Sequence, residues 1–143
     1  MEAFSSVQLH PDVADGIRAL RDAGHRLFTL SNGSTDSAKR LLGDAGPLNA
    51  VDGLLSVEGH CPWKPTCASY LDALTRTGTD GTAYLAAVHP WDVHGATLAS
   101  LSTIWINRTG APYPSHFSAP TIVAATIGGI AEQLTRHPVE RAT

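Results

Sequence analysis

Hydrophobic residues recur along this chain at helical spacing in some segments and form short uninterrupted runs in others. In the segment 11–23 they fall every three or four residues, at Val13, Ile17 and Leu20, as on the apolar face of an amphipathic helix. The next segment, 26–31, is a short apolar run that leads into a polar turn sequence, as a buried strand does. The chain therefore opens with a predicted helix and a predicted strand.

The same alternation continues to the end of the chain. Further helices are predicted at 34–44, 65–76, 93–101 and 129–134. Further strands are predicted at 52–59, 82–88, 102–108 and 121–127, with loops at 89–92 and 111–120. In the helix at 65–76 the predicted apolar face consists of Ala68, Leu71 and Leu74, with Tyr70 beside it. Strands that alternate with helices predict an α/β fold, a parallel Rossmann-like sheet with helices on both faces.

A single domain, 1–143, accounts for the chain, because its length is usual for one domain and no repeat or linker interrupts the alternation. The tail 136–143 is expected to fray. Apolar residues make up 43% of the chain and charged residues 16%, which predicts a packed core rather than disorder. No apolar run approaches the roughly 18 residues of a transmembrane helix. No secretory signal is visible either. The two cysteines are expected to be reduced thiols, which indicates a cytoplasmic location.

Charge and cysteine content exclude several classes of partner and site. The formal net charge is −3 with mixed signs, so neither a nucleic acid nor an anionic membrane is an expected partner. Cys61 and Cys67 are too few for a disulfide framework, and free, buried thiols are expected. His89, Asp92 and His94 lie close together in sequence but lack the spacing of known zinc motifs, so no metal site is expected.

Polar residues stand at the carboxyl ends of the predicted strands, where open parallel sheets place their sites. Ser31 and Asn32 precede a helix N-terminus and could bind an anion there, although helix capping is the simpler role. Lys64 lies at the start of the helix at 65–76, an unfavourable place for a cation. That position fits a surface lysine and mildly suggests an anionic partner. Asp92 fits a helix N-cap with equal ease.

Taken in order, these residues resemble the haloacid dehalogenase (HAD) superfamily, in its type II or L-2-haloacid dehalogenase branch. The resemblance covers about residues 7–134. It is carried by the stretches LHPDVADGIRALRDAGHRLFTLSNGS, LLSVEGHCPWKPTCASY and YLAAVHPWDVHGATLASLSTIWINRTG. Ser31 matches the second motif of the family, Lys64 the third and Asp92 the fourth. The Ser-Asn-Gly triplet and the Trp-Asp pair mark the dehalogenase branch rather than the phosphatases.

The resemblance implies a hydrolase that works without metal or other cofactor on a small anionic substrate of the 2-haloacid class. An aspartate attacks C2, halide leaves, and water hydrolyses the resulting ester. By the same resemblance, Ser31 binds the nucleophilic or the substrate carboxylate, and Asn32 holds the departing halide. Lys64 neutralises the reacting anions, while Asp92 orients Lys64 and helps to position water.

The sequence departs from the family at two places. No aspartate precedes Asp12, so the first motif, with the nucleophile at the end of the first strand, is expected to be absent together with the helical cap. Before the Trp-Asp pair, Ala87, Val88 and His89 stand where the dehalogenases carry serine and asparagine. His89 is either a replacement donor or acid–base group at an anion site, or only the residue that ends a strand.

Loss of the first strand predicts two unpaired strand edges, beside the strand that ends at Ser31 and the strand that ends at Val88. The edges could pair directly, another chain could lend a strand, or the fold could be marginal. A homo-oligomer or a strand-donating partner is therefore expected. We predict a truncated hydrolase core that is inert by itself, a pseudoenzyme unless its site is completed. The alternative is a non-catalytic remnant that binds an anion or a protein.

Overall fold

The computed structural model describes residues 8–136, and within them helices and strands alternate as the sequence predicts. The helices are α1 (Val13–Asp22), α2 (Asp36–Ala45), α3 (Cys67–Thr77), α4 (Pro90–Leu98) and α5 (Ile127–Arg136). The strands are β1 (Phe28–Ser31), β2 (Gly53–Ser56), β3 (Tyr84–Ala87), β4 (Ser102–Ile106) and β5 (Ile122–Ala124). A short 3-10 helix spans Leu48–Ala50. All but the first residue of the tail 136–143 lie outside the described range, so the predicted fraying is not tested here.

The strands form two separate parallel half-sheets. In one, β1 pairs with β2, from Phe28 opposite Gly53 onwards. In the other, β4 lies between β3 and β5, and both of its pairings are parallel. No hydrogen-bonded ladder joins β1 to β3 in the described part of the chain. The two predicted edges are therefore present, and they do not pair directly with each other.

Both half-sheets are covered by the same two helical layers. One layer, from α1 and α5, buries a cluster around β4 and β5 that consists of Leu20, Ile104, Ile106, Ala124 and Ile130. The opposite layer, from α3 and α4, contributes Tyr70, Ala96 and Ala99. This arrangement is the predicted α/β fold with helices on both faces, and it holds the two half-sheets in one molecule although no ladder joins them.

The predicted apolar face of α3 is wrong. Leu71 is 49% exposed and Ala68 is also exposed, whereas Ser69 and Tyr70 are buried. Helix α3 faces the protein interior through Tyr70. The buried Tyr70 hydroxyl has a hydrogen-bond partner in Asp92, and the large apolar ring is buried with it.

The prediction of a loop at 89–92 is correct for His89 and wrong for the three residues after it. Helix α4 begins at Pro90, with His89 as its N-cap residue, so Asp92 lies in the first turn rather than at the cap. Proline at the first helical position costs nothing, since its ring fixes a helical φ and its missing N–H has no partner there anyway. The helix predicted at 93–101 accordingly begins and ends three residues earlier than expected.

Hydrogen bonds to Asp12 connect α1 and α5 to the segment that follows β4. One carboxylate oxygen accepts a 2.6 Å hydrogen bond from Arg108, and the other accepts the backbone N–H of Ile127 at 2.9 Å. Ile127 is the first residue of α5, so Asp12 caps a helix to which it does not belong. The hydrogen bond from Arg108 lowers the pKa of Asp12 below its ordinary value, and the backbone bond from Ile127 acts in the same direction.

Candidate active site

An ion pair between Lys64 and Asp92 is the centre of the candidate site. The ammonium nitrogen of Lys64 lies 2.7 Å from Oδ2 of Asp92, and the two side chains are only 10% and 8% exposed. Lys64 comes from the loop before α3, and Asp92 from the first turn of α4, just beyond β3. The fold thus brings together the residues that match the third and fourth family motifs.

Tyr70 completes the surroundings of the Asp92 carboxylate, a role that its position in the sequence does not predict. Its hydroxyl donates a 2.6 Å hydrogen bond to Oδ1 of Asp92. Burial, together with this bond to an anionic neighbour, raises the pKa of Tyr70 far above the usual value of a tyrosine. Burying an ion pair costs desolvation energy unless further hydrogen bonds satisfy it, and Tyr70 supplies one. The available signal was a tyrosine in the middle of a short amphipathic helix, but sequence spacing does not reveal its partner.

Asn32 holds the backbone of Lys64 in place. Its Oδ1 accepts the N–H of Lys64 at 2.8 Å, and its Nδ2 donates to the carbonyl oxygen of Lys64 at 3.4 Å. Two hydrogen bonds from one carboxamide fix the loop against the carboxyl end of β1. Asn32 therefore lies next to the ion pair and positions the loop that carries Lys64.

Ser31 shapes the turn that carries Asn32. Its Oγ accepts the N–H of Gly33 at 3.1 Å. Ser56, which lies opposite Ser31 in β2, donates from its hydroxyl to the carbonyl oxygen of Gly33 at 2.7 Å. Ser31 thus lies at the rim with its oxygen turned to the local backbone, and Asn32 connects it to Lys64.

Glycine at position 95 lets α4 approach this loop closely. A Cβ atom built on Gly95 would lie 2.5 Å from the carbonyl oxygen of Pro65 and 2.9 Å from the Tyr70 hydroxyl. No real side chain tolerates such distances to backbone, so any larger residue would push α4 away from the loop. The approach matters because α4 carries Asp92 and the loop carries Lys64.

Aromatic side chains border the ion pair on its open side. His89 is exposed and stacks on Trp91, with ring centroids 5.5 Å apart and an interplanar angle of 12°. The ammonium of Lys64 lies 5.9 Å from the centre of the Trp91 ring. Trp63, next to Lys64, is 65% exposed. The stack places His89 near the site but outside hydrogen-bond contact with the ion pair.

The cysteine and metal expectations have separate outcomes. Cys61 and Cys67 are free thiols, but the prediction that they are buried is wrong, since Cys61 is half-buried and Cys67 exposed. Burial, and after it the charge of Asp72, raises the pKa of the Cys61 thiol. Across residues 8–136 no three histidine, cysteine or acidic side chains gather closely enough to hold a metal ion. Over the same range, no helix is both long and apolar enough to cross a membrane.

Comparison with known proteins places this geometry in context. The chain is 31% identical over 132 residues to the (S)-2-haloacid dehalogenase of Pseudomonas sp. (strain YL), across 92% of this chain and 57% of that enzyme. It is 29% identical to haloacetate dehalogenase H-2 of Moraxella sp. (strain B), across 90% of this chain and 58% of the relative. The chain thus spans less than two thirds of the length of the curated relatives. No family model matches it.

Solved structures agree with the sequence relatives. The 2-haloacid dehalogenase of Pseudomonas syringae pv. tomato superimposes with a TM-score of 0.77 at 28% identity, over 92% of this chain and 55% of that one. The fold of the L-2-haloacid dehalogenase of Xanthobacter autotrophicus matches with a TM-score of 0.82, at 22% identity, over 96% of this chain and 65% of that one. On these similarities in sequence and fold, the chain belongs to the haloacid dehalogenase superfamily, in its type II, L-2-haloacid dehalogenase-like branch.

Proposed function

We propose that this chain is the part of a 2-haloacid dehalogenase-like hydrolase that holds the cationic half of the active site, and that it is inert by itself. The observation that carries the proposal is the Lys64–Asp92 pair with its Tyr70 contact. Asp92 is the only carboxylate in contact with Lys64 among residues 8–136. It accepts strong hydrogen bonds on both of its oxygens, which makes it a poor nucleophile and a good positioning group for the ammonium.

The ammonium of Lys64 has donors to spare for a reacting anion. An ammonium group carries three N–H bonds, and one of them is directed to Asp92. The side chain is fixed by Asp92, its backbone is fixed by Asn32, and Trp91 lies beside it. A fixed cation of this kind stabilises negative charge that develops in a transition state without reorganising at that moment.

In the complete reaction a carboxylate attacks C2 of a short 2-haloacid and displaces halide. This step forms an ester, which water then hydrolyses to the 2-hydroxyacid and the free carboxylate. Relatives of the chain are named for (S)-2-haloacids, and we assign the same class of substrate here. We assign charge neutralisation to Lys64 and orientation of Lys64 to Asp92. Ser31, Asn32 and His89 surround the anion from the rim.

Two measurements test this assignment. The purified chain, incubated with (S)-2-chloropropionate, should release no chloride above the buffer rate. Chloride release that depends on Lys64 would show that a nucleophile is present and would overturn the inert state. The second measurement is binding of the same acid, followed through the side-chain amine signals of ¹⁵N-lysine.

The chain contains only two lysines, Lys39 and Lys64, so each amine signal can be assigned with a single variant. Lys39 is exposed on α2 and serves as the matched control. The acid should shift the Lys64 signal and leave the Lys39 signal in place, and Lys64→Met should abolish binding while Lys39→Met retains it. Equal shifts of both signals would mean non-specific ion pairing and would contradict the assigned substrate site.

A further inference from the structure

We propose that Trp105 is a positioning residue for His89, the histidine at the rim of the candidate site. Trp105 holds the backbone next to His89 so that the imidazole lies flat on Trp91. The inference rests on the proposed function, because His89 is assigned there to the rim that surrounds the anion. The position of the His89 ring and the affinity for the acid are measured separately, so either can fail without the other.

Hydrogen bonds hold the backbone on both sides of the His89 side chain. The indole nitrogen of Trp105 donates a 2.9 Å hydrogen bond to the carbonyl oxygen of Val88, which precedes His89. The carbonyl oxygen of His89 itself accepts the N–H of Asp92 at 3.0 Å, in the first turn of α4. Since the carbonyl groups before and after the side chain are both held, the direction in which the imidazole leaves the backbone is set.

The position of Trp105 on β4 explains why its indole reaches Val88. Ile104 and Ile106 pack in the cluster of α1 and α5, so Trp105 between them points to the opposite layer, that of α3 and α4. Trp105 is only 6% exposed, and a buried indole needs an acceptor for its single N–H. Strand β3 ends at Ala87, and the Val88 side chain is 51% exposed. The connection from β3 to α4 therefore depends on the bond from the indole.

The Trp105 ring is itself held in orientation. Tyr113 packs against it edge to face, with ring centroids 4.9 Å apart and an interplanar angle of 69°, a favourable aromatic geometry. The Tyr113 hydroxyl donates to the carbonyl oxygen of Ser118 at 2.7 Å. The N–H of Ser118 in turn donates to Nδ1 of His94 on α4 at 3.0 Å. The loop that carries Tyr113 is thus tied to α4, and its aromatic ring keeps the indole directed at Val88.

The His89 ring matters because of what lies beside it. It stacks on Trp91, with centroids 5.5 Å apart, and the ammonium of Lys64 lies 5.9 Å from the centre of the same indole. Trp91 is 37% exposed, so the imidazole shields part of its surface from water. A cation beside an aromatic ring interacts with it more strongly where water is excluded. Trp105 acts on these surroundings of the ammonium through the backbone.

The test compares Trp105→Phe with Tyr113→Phe, which is the matched control. Each variant loses one side-chain donor to a backbone carbonyl and keeps an aromatic ring, but only the first loses the hold on Val88. NMR spectra of ¹³C-histidine-labelled chain report the ring protons of His89, which a His89→Gln variant assigns. These protons should show a nuclear Overhauser effect to the Trp91 indole in the unaltered chain and in Tyr113→Phe. The effect should be lost in Trp105→Phe.

The same three proteins are then titrated with (S)-2-chloropropionate. Trp105→Phe should bind the acid about fivefold more weakly, the equivalent of one neutral hydrogen bond, whereas Tyr113→Phe should bind it like the unaltered chain. A displaced His89 ring with unchanged affinity supports the positioning role and counts against His89 as part of the anion site. If the unaltered chain does not bind the acid, the proposed function is wrong, and the His89 signals still decide the positioning role.

Two results would overturn the inference. One is a His89 ring that stays against Trp91 in Trp105→Phe. The other is an equal displacement in Trp105→Phe and Tyr113→Phe, which would mean that any loosening of the loop has this effect.

A measurement on the unaltered chain covers the case in which Trp105→Phe does not fold. The chain has three tryptophans, so ¹⁵N-tryptophan gives three indole signals, which Trp63→Phe and Trp91→Phe assign. The Trp105 indole N–H should exchange with water at least about tenfold more slowly than the other two, because it is buried and bonded to Val88. Exchange as fast as that of the exposed Trp63 would show that the bond does not persist in solution and would overturn the inference.

Discussion

Tyr70 and Asp92 form a 2.6 Å hydrogen bond across the interface between α3 and α4, on the carboxylate oxygen that Lys64 leaves free. The bond connects the helix that follows the Lys64 loop to the helix that carries Asp92. The phenol therefore acts as a positioning group for the ion pair.

Tyr70→Phe should destabilise the chain by about 2 kcal/mol, because a buried carboxylate loses one of its donors while the apolar ring remains. Urea unfolding at neutral pH measures the effect. Tyr113→Phe is the control, since the Tyr113 hydroxyl donates to a neutral acceptor, the carbonyl oxygen of Ser118, and should cost only about 1 kcal/mol. Equal losses in the two variants would show that the charge of Asp92 adds nothing to the Tyr70 bond. The Lys64 amine signal should move in Tyr70→Phe alone.

Asp12→Asn should lower the free energy of unfolding by about 1–2 kcal/mol at neutral pH, since it weakens both the contact with Arg108 and the cap of α5. The folded-state pKa of Asp12 lies below its ordinary value of 3.8. Its contribution is therefore complete above pH 3.8 and is lost as pH falls through the lower, folded-state pKa. The difference between wild type and variant should be constant near neutrality and shrink in acid.

Asp15→Asn is the control for this pH dependence. The Asp15 side chain is 93% exposed and, among residues 8–136, pairs only with Arg18 on its own helix, so its removal should have no measurable effect on unfolding. A difference between wild type and Asp12→Asn that grows on acidification would contradict the assigned direction of the pKa change.

How far the sequence predicts the structure depends on whether a feature is local. Apolar periodicity and turn residues predict the order of elements and the parallel sheet, because these signals lie within each segment. The matched motifs also place Lys64 and Asp92 at the same rim. The partner of Tyr70 depends on how two helices pack, and the fastening of Asp12 to Arg108 joins residues 96 positions apart. Such contacts leave no periodic trace in one sequence.

The misassigned elements have the same cause. Spacing alone placed Leu71 on the buried face of α3, but a hydrogen bond from its neighbour Tyr70 turned that face outward. The sequence predicts a loop that includes Pro90, although proline is also a favourable first residue of a helix. In both cases the local sequence is compatible with two structures and does not decide between them.

Gly95→Ala should destabilise the chain by about 1–3 kcal/mol, because the new methyl group meets the backbone carbonyl of Pro65. Gly128→Ala is the matched control, since Gly128 lies in the first turn of α5 and an added Cβ there has space. That control should be neutral or stabilising by up to about 1 kcal/mol. Thermal unfolding and the Lys64 amine signal report on both. A stable Gly95→Ala variant with an unchanged Lys64 signal would show that the close approach is not needed for the ion pair.

Thr29→Val should stabilise the isolated chain by about 1 kcal/mol. The Thr29 hydroxyl is buried on β1 and has no hydrogen-bond partner among the described residues, so valine removes the cost of an unsatisfied polar group. Thr103→Val on β4 tests the opposite case, because the Thr103 hydroxyl is buried and accepts the backbone N–H of Thr121 at 3.2 Å. Its loss should destabilise by about 1–3 kcal/mol, since it leaves that N–H unpaired. Urea unfolding distinguishes the two, and a destabilised Thr29→Val variant would mean that this hydroxyl has a partner in solution.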